Sequence, residues 1–206
     1  MSYPDPQTLL LASYLLLPKE INLADRAVLL GFDSDVIEKA AFGLNQERYI
    51  THDESGHFVP SSELEPQDKA ELCCYYGEYQ LQRNELNDAL RGFYEARLLH
   101  SALGEMPNLA TDLGNIGTTL FRARQLDAAI KCFEEAKSLF LEVNEQHGVA
   151  AAEANLALIK AEQGQINEAL TGLRKALEMF KNVNDAAMIL QTEKNLEWLE
   201  SKRSSL

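Results

Sequence analysis

The sequence predicts a mainly α-helical protein, an α-solenoid of repeated helix pairs preceded by a small N-terminal domain. Residue types recur every 40 positions through the back two-thirds of the chain, and small residues alternate with bulky ones, as in Ala129, Phe133 and Ala136. Small residues let helices approach closely and bulky ones fill the gaps, which is typical of helix pairs that stack on copies of themselves. The first 66 residues lack this repeat. The columns at this spacing are Ala89, Ala129, Ala169; Phe93, Phe133, Leu173; Ala96, Ala136, Ala176; Leu86, Leu126, Ile166; and Gly77, Gly117, Ala157.

Composition limits the classes of function. The 206 residues carry a net charge of -13, and acidic residues outnumber basic ones both before and after Asp68. Phosphate backbones and anionic membranes need local positive charge, so neither nucleic acid nor a membrane is an expected partner. The apolar stretch Leu9 to Leu17 is too short to span a bilayer. Three cysteines, two of them adjacent, favour a reduced, cytoplasmic setting.

The N-terminal domain, residues 1–66, has a different pattern of elements. The predicted order is a helix over 8–17, a helix from Asn22 to Leu30, a third helix from Asp33 or Ser34 to about Gln46, and two strands, Tyr49 to Thr51 and His57 to Val59, flanking a turn at Asp53 to Gly56. Residues 22–60 resemble winged-helix modules, particularly those between the nucleotide-binding domain and helical repeats of large signalling ATPases. No GxxxxGK[ST] motif occurs in the chain. The chain is therefore either a stand-alone adaptor or a piece of something larger.

The repeated residues carry a second resemblance. The pattern Ala-x-x-x-Phe-x-x-Ala with an upstream Gly resembles the tetratricopeptide repeat, in a 40-residue variety, over residues 67–206. The predicted repeats are about 68–107, 108–147 and 148–187, followed by a capping helix over 188–204. The sequence departs from the family pattern in lacking the usual proline after the second helix and in exceeding the usual period of 34. Membership implies a right-handed solenoid whose first helices line a concave groove for a peptide or a partner helix.

The family register places one set of residues in this groove. In one column, Tyr75, Asn115, Asn155 and Asn195, a side-chain amide could donate to and accept from the backbone of an extended peptide. The alternative is that these asparagines hydrogen-bond between neighbouring helices. The predicted groove residues are Tyr75, Glu78, Leu81, Asn115, Thr118, Phe121, Arg122, Asn155, Leu158, Asn195 and Trp198.

Three functions remain open. We predict an adaptor or scaffold that binds a protein or peptide partner and uses no cofactor or metal. The alternative is a transcription regulator with a DNA-binding winged helix and a repeat sensor, although the third helix carries Asp35 and Glu38 and is net negative. Assembly of homo-oligomers through the ends of the solenoid is the third. His52, His57, His100 and His147 have no sequence neighbours that complete a zinc or nucleophile pattern, so no enzymatic activity is predicted.

Overall fold

The computed structural model describes residues 5–46, 50–52, 58–61 and 64–204. Contacts divide the chain into two compact units, Met1–Gly104 and Glu105–Leu206. None of the described helices is both long enough and apolar enough to cross a membrane. The domain boundary after residue 66 stays a prediction.

The front of the first unit contains three helices and one antiparallel strand pair. Within the described residues the elements are α1 (Pro6–Leu16), α2 (Leu23–Leu30), α3 (Ser34–Gln46), β1 (Ile50–His52) and β2 (Phe58–Pro60). Thr51 lies opposite Val59. The order of elements is as predicted, whereas the predicted turn at 53–56 and His57 lie outside the described residues and the winged helix stays a prediction.

The first helix begins two residues before the predicted start. The side chain of Asp5 accepts hydrogen bonds from the backbone N–H groups of Gln7 and Thr8, and Pro6 occupies the first turn. Both features favour a helix start, because the cap satisfies unpaired N–H groups and proline has none to lose.

The first repeat lies in the same unit as these helices. It consists of α4 (Pro66–Gln82) and α5 (Leu86–Leu103). A Cβ atom added at Gly77 would lie 2.7 Å from the Phe93 ring, so the glycine is what allows this close helix pairing. On its other side α4 contributes Tyr76 to the core formed by α1 and α3, and α1 contacts α4 directly.

The described residues of the second unit, 105–204, form five helices in sequence order. They are α6 (Met106–Arg122), α7 (Leu126–Glu142), α8 (Gln146–Glu162), α9 (Ile166–Asn182) and α10 (Ala186–Ser204). Equivalent helices start 40 residues apart, at Met106, Gln146 and Ala186, which confirms the period read from the sequence. The last helix starts two residues before the predicted 188, because Asp185 accepts a hydrogen bond from the Met188 N–H.

The turns between helices repeat as well. Backbone φ is positive at the same position in successive turns, with 62° at Arg124 and 81° at Gly164. A residue in this left-handed conformation ends one helix and lets the chain turn toward the next. The positions with this conformation are Asn84, Arg124, Gly164, Gly104, Asn144, Asn184 and, in the front helices, Gly31.

Candidate functional site

A pocket of about 280 Å³ opens between α6 and α8 of the second unit. We call it the α6–α8 pocket. Its polar lining includes Asn115 and Thr118 from α6 and Asn155 from α8. These three predicted groove residues are thus brought together. The other lining residues are Thr111, Gly114, Phe133, Ala136, Phe140, Glu145, His147, Gly148, Ala151 and Ala152.

The floor of the pocket is apolar and made of small and aromatic residues. Phe133 and Ala136 are fully buried, and Phe140 is 8% exposed. No atom lies within 4 Å of the place where a side chain at Gly114 would begin, so this part of the α6 wall is open. An apolar floor under a polar rim is the usual arrangement of a ligand pocket.

The two asparagine side chains of the pocket are half-buried. Neither the Asn115 nor the Asn155 amide hydrogen-bonds to any residue that the structure describes. The hydrogen bonds between neighbouring helices that we considered from the sequence are therefore not seen at these two positions. At Asn195 the side-chain oxygen accepts a hydrogen bond of 3.3 Å from Gln191, one turn earlier on the same helix.

The threonine hydroxyl groups on the α6 wall donate their hydrogen bonds within the helix. The Thr118 hydroxyl donates to the Gly114 carbonyl at 2.9 Å, and the Thr111 hydroxyl donates to the Pro107 carbonyl at 3.0 Å. A hydroxyl has a single proton, so toward the pocket each of these oxygens presents lone pairs only.

Two side chains at the start of α8 complete the rim. The Glu145 carboxylate caps α8 by accepting hydrogen bonds from the backbone N–H groups of His147 and Gly148. The His147 Nε2 lies 2.8 Å from an Asp185 carboxylate oxygen, and its ring meets Phe180 edge-on. The hydrogen bond from the Met188 N–H, aided by His147, lowers the pKa of Asp185 below its ordinary value. The carboxylate is thus kept ionised beside the imidazole.

The other predicted groove residues of the second unit differ in exposure. Phe121 and Leu158 are half-buried, and Leu158 packs against the core cluster of α8, α9 and α10. Arg122 is exposed. Trp198 is 53% exposed, with the Lys202 ammonium 5.0 Å from its ring centroid.

Three predicted groove residues lie on α4 in the first unit. The Tyr75 hydroxyl accepts a hydrogen bond of 3.1 Å from the Asp5 N–H, and its ring packs against the core of α1 and α3. Tyr75 therefore contributes to the packing of the front helices. Glu78 is exposed, with its carboxyl pKa raised by desolvation, and Leu81 is half-buried.

Sequence reasoning missed several pocket residues. Thr111, Glu145 and His147 do not belong to the asparagine column. Thr111 lies one helical turn before Asn115 on α6, whereas Glu145 and His147 come close to the column because the turn before α8 packs over Phe140. The one sequence signal was the polar run that follows Asn144, read there only as a loop.

The comparisons with known proteins agree with the helical-repeat fold. Residues 108–182, which include α7, α8, α9 and most of α6, match the family model of the tetratricopeptide repeat. This part of the chain is therefore built of tetratricopeptide repeats. The predicted fold class, a mainly α tetratricopeptide solenoid, is confirmed. A search of curated proteins found no significant match to the sequence.

Several solved structures share the fold of this chain. The apo form of RapI has a TM-score of 0.66 at 15% identity, covering 88% of this chain and 61% of RapI. The Rap conjugation gene regulator of plasmid pLS20, solved with the Phr* peptide, has a TM-score of 0.66 at 13% identity, covering 99% of this chain and 61% of the regulator. Aspartyl phosphate phosphatase F from Bacillus subtilis has a TM-score of 0.58 at 19% identity, and the match covers 78% of this chain and 38% of the phosphatase. The chain thus spans about three fifths of the first two proteins, and at these identities the likeness shows the fold alone.

Proposed function

We propose that this protein is an interaction adaptor that holds an extended peptide or a helix of a partner protein in the α6–α8 pocket. The observation that carries the proposal is the pair of half-buried amides, Asn115 and Asn155, which line one pocket and hydrogen-bond to no described residue. A partly desolvated amide gains from any ligand that pairs with it.

A peptide backbone suits this pair of amides. Each side-chain amide can donate to a carbonyl and accept from an N–H, so two amides hold a main chain without reading its sequence. The floor at Phe133 and Ala136 can then receive one apolar side chain or stem. Backbone hydrogen bonds supply affinity in this arrangement, and the floor supplies selectivity.

The rest of the predicted groove extends the proposal. Phe121, Leu158 and Trp198 would add apolar contact, while Arg122 and Asn195 would add contacts at the edges of the groove. The predicted groove residues Glu78 and Leu81 lie in the first unit and stay a prediction. The peptide-bound structure of the pLS20 Rap regulator supports a peptide partner, since a protein of the same fold was solved with one. Its Phr* peptide is a ligand of that regulator; here only the class of ligand is proposed.

A comparative pull-down tests the proposal. The wild-type chain and an Asn115→Ala/Asn155→Ala variant are used as baits in a native extract, and recovered proteins are quantified by mass spectrometry. We expect the recovery of at least one protein to fall about thirtyfold with the variant, because two hydrogen bonds at about 1 kcal/mol each are lost.

The matched control is Asn167→Ala/Asn182→Ala, the same chemical change at exposed positions of α9 outside the pocket. This control should recover the partner as well as the wild type does. Equal recovery by all three baits would remove the pocket as the binding site.

The structure offers no specific support for the regulator alternative. The exposed side of the described part of α3 carries Asp35, Glu38, Lys39 and Phe42, and Lys39 lies 3.9 Å from Asp35. Phosphates would meet net negative charge there. An electrophoretic mobility shift at low salt tests this alternative, and we expect no retardation of genomic DNA. The cytoplasmic location, the lack of a cofactor and of enzymatic activity, and homo-oligomerisation stay predictions.

A further inference from the structure

The hydrogen-bonding polarity of the α6–α8 pocket restricts which partner segment it can hold. Thr111 and Thr118 present only lone pairs, because their protons are donated within α6. The Glu145 oxygens accept one backbone N–H each and keep further lone pairs. Three of the polar groups that line the pocket are therefore pure acceptors.

In its neutral form, His147 adds a fourth acceptor. The Asp185 carboxylate can only accept, so the proton between the two groups sits on the His147 Nε2. In the neutral ring the other nitrogen, Nδ1, then carries a lone pair. The Asn115 and Asn155 amides are the two mixed groups, each with a donor and an acceptor end.

The charges at the pocket also favour a ligand group that donates hydrogen bonds. No lysine or arginine is among its lining residues, while the Glu145 carboxylate lies on the rim and Asp185 lies behind His147. An acidic ligand group would meet repulsion and find few donors. A cationic group brings several donors and no acceptor, which complements the rim.

We propose that the α6–α8 pocket takes a cationic hydrogen-bond donor of the partner peptide, namely a lysine or arginine side chain or a free N-terminal amine. This inference rests on the proposed function. The cation lies among Thr111, Thr118 and Glu145, its aliphatic stem crosses the floor at Phe133, and Asn115 and Asn155 hold the adjoining backbone.

Peptide selection against the whole chain tests this proposal without knowledge of the natural partner. Random linear octapeptides are displayed in two libraries, one with a free and one with an acetylated N-terminus. Sequences are kept only if the Asn115→Ala/Asn155→Ala variant recovers about tenfold less of them. We expect the acetylated survivors to share a lysine or arginine at a fixed position. Survivors confined to the free library would identify the terminal amine as the donor.

Charge-neutral replacements then measure the contribution of the cation. One survivor is synthesised with its arginine replaced by citrulline, or its lysine by norleucine. We expect affinity to fall about tenfold, the usual size of a charge-assisted hydrogen bond in binding. A survivor of the terminal-amine class is compared with its acetylated form instead.

Threonine variants locate the cation within the pocket. Thr118→Val removes one acceptor, and we expect it to weaken the cationic peptide several-fold more than its neutral counterpart. The matched control is Thr171→Val on α9, because Thr171 also donates to the carbonyl four residues earlier but lies outside the pocket. We expect the control to leave both affinities unchanged.

Two negative outcomes are distinguishable. Asparagine-dependent peptides that lack a shared cation, or that bind equally well after neutralisation, would overturn this inference and leave the proposed function standing. The absence of any asparagine-dependent peptide from both libraries would overturn both proposals.

Discussion

Arg26 is completely buried, although it carries a charge and hydrogen-bonds to no carboxylate among the residues that the structure describes. Its guanidinium donates to the backbone carbonyls of Ser13, Pro18 and Ile21, and it lies 4.2 Å from the centroid of the Tyr14 ring. The rigid fork of donors satisfies three carbonyls where α1 meets α2. One side chain thus fixes the connection between the first two helices.

We expect Arg26→Met to lower the stability of the first unit by about 3 kcal/mol, because three carbonyls lose their donor. Arg26→Lys should not restore it, since an ammonium cannot reproduce the fork. All seven tyrosines lie in the first unit and the single tryptophan lies in the second, so near-ultraviolet tyrosine dichroism in urea reports the affected unit.

The control is Arg91→Met, which removes an exposed ion pair with Asp88 and should cost less than about 1 kcal/mol. Equal losses in the two variants would show that the buried hydrogen bonds contribute no more than a surface ion pair.

Glu153 joins three helices of the second unit. Its carboxylate lies 2.5 Å from the Lys137 ammonium of α7 and 3.0 Å from the Lys175 ammonium of α9, and its side chain is 15% exposed. Partial burial favours the neutral acid, but hydrogen bonds and charge from the two lysines outweigh it and lower the pKa of Glu153 below its ordinary value. The ionised form is therefore stabilised by folding.

Stability should depend on pH through this residue. A lowered folded pKa means that the contribution is complete above the ordinary glutamate pKa and is lost as pH falls through the lowered value. We expect Glu153→Gln to cost about 1.5 kcal/mol at pH 7 and to become indistinguishable from wild type in strong acid. Urea unfolding across a pH series measures the difference.

Glu168→Gln serves as the control, because Glu168 is 61% exposed and lies 3.9 Å from Lys160. It should change little at any pH. A Glu153→Gln deficit that persisted unchanged in acid would contradict the electrostatic origin.

At the scale of helix pairs, Gly117 and Phe133 are a pair of facing residues whose sizes match. A Cβ added at Gly117 would lie 2.9 Å from the Phe133 ring. In the third repeat the equivalent positions are Ala157 and Leu173, both in one core cluster. A small side chain is therefore tolerated where the facing residue is smaller than phenylalanine.

We expect Gly117→Ala to destabilise the second unit by about 1 to 2 kcal/mol, since overpacking outweighs the better helix propensity of alanine. Phe133→Leu should destabilise it by leaving a cavity. The double variant reproduces the third-repeat pair, so it should be more stable than the sum of the singles by about 1 kcal/mol. Additive losses in urea unfolding would contradict the pairing.

At the scale of the whole molecule, the first repeat shares its core with the N-terminal helices. Tyr76 of α4 belongs to the buried cluster of α1 and α3, and Leu72, Tyr75 and Tyr79 pack against that cluster. The Tyr79 hydroxyl also donates to the Leu30 carbonyl at 2.6 Å. Any cut after residue 66 would expose this face of α4.

We expect a fragment of residues 105–206 to unfold cooperatively alone, because it forms its own compact unit. A fragment of residues 67–206 should bind an apolar dye and scatter more light, since the aromatic face of α4 loses its cover. A monomeric 67–206 fragment without dye binding would contradict this expectation and support the boundary predicted from the sequence.

Part of the candidate site was predictable from the sequence. The 40-residue register placed Asn115 and Asn155 at equivalent positions of successive first helices, and the structure puts both in one pocket. Glu145 and His147 could not be found this way, because their proximity depends on how the turn before α8 packs over Phe140. Thr111, four residues before Asn115 on α6, could have been found from helix periodicity. Tyr75 shared the column yet packs against α1, since the first repeat has the N-terminal helices as neighbours.

The sequence by itself determined the helices, their period and the pairing of small with bulky residues, because these depend on local propensity and on contacts between neighbouring repeats. Only the tertiary structure decided that the Asn115 and Asn155 amides hydrogen-bond to no described residue, that the Thr118 hydroxyl donates within α6 and that the first repeat joins the N-terminal core. These properties depend on which groups meet at hydrogen-bonding distance, and a column of residue types does not contain that information.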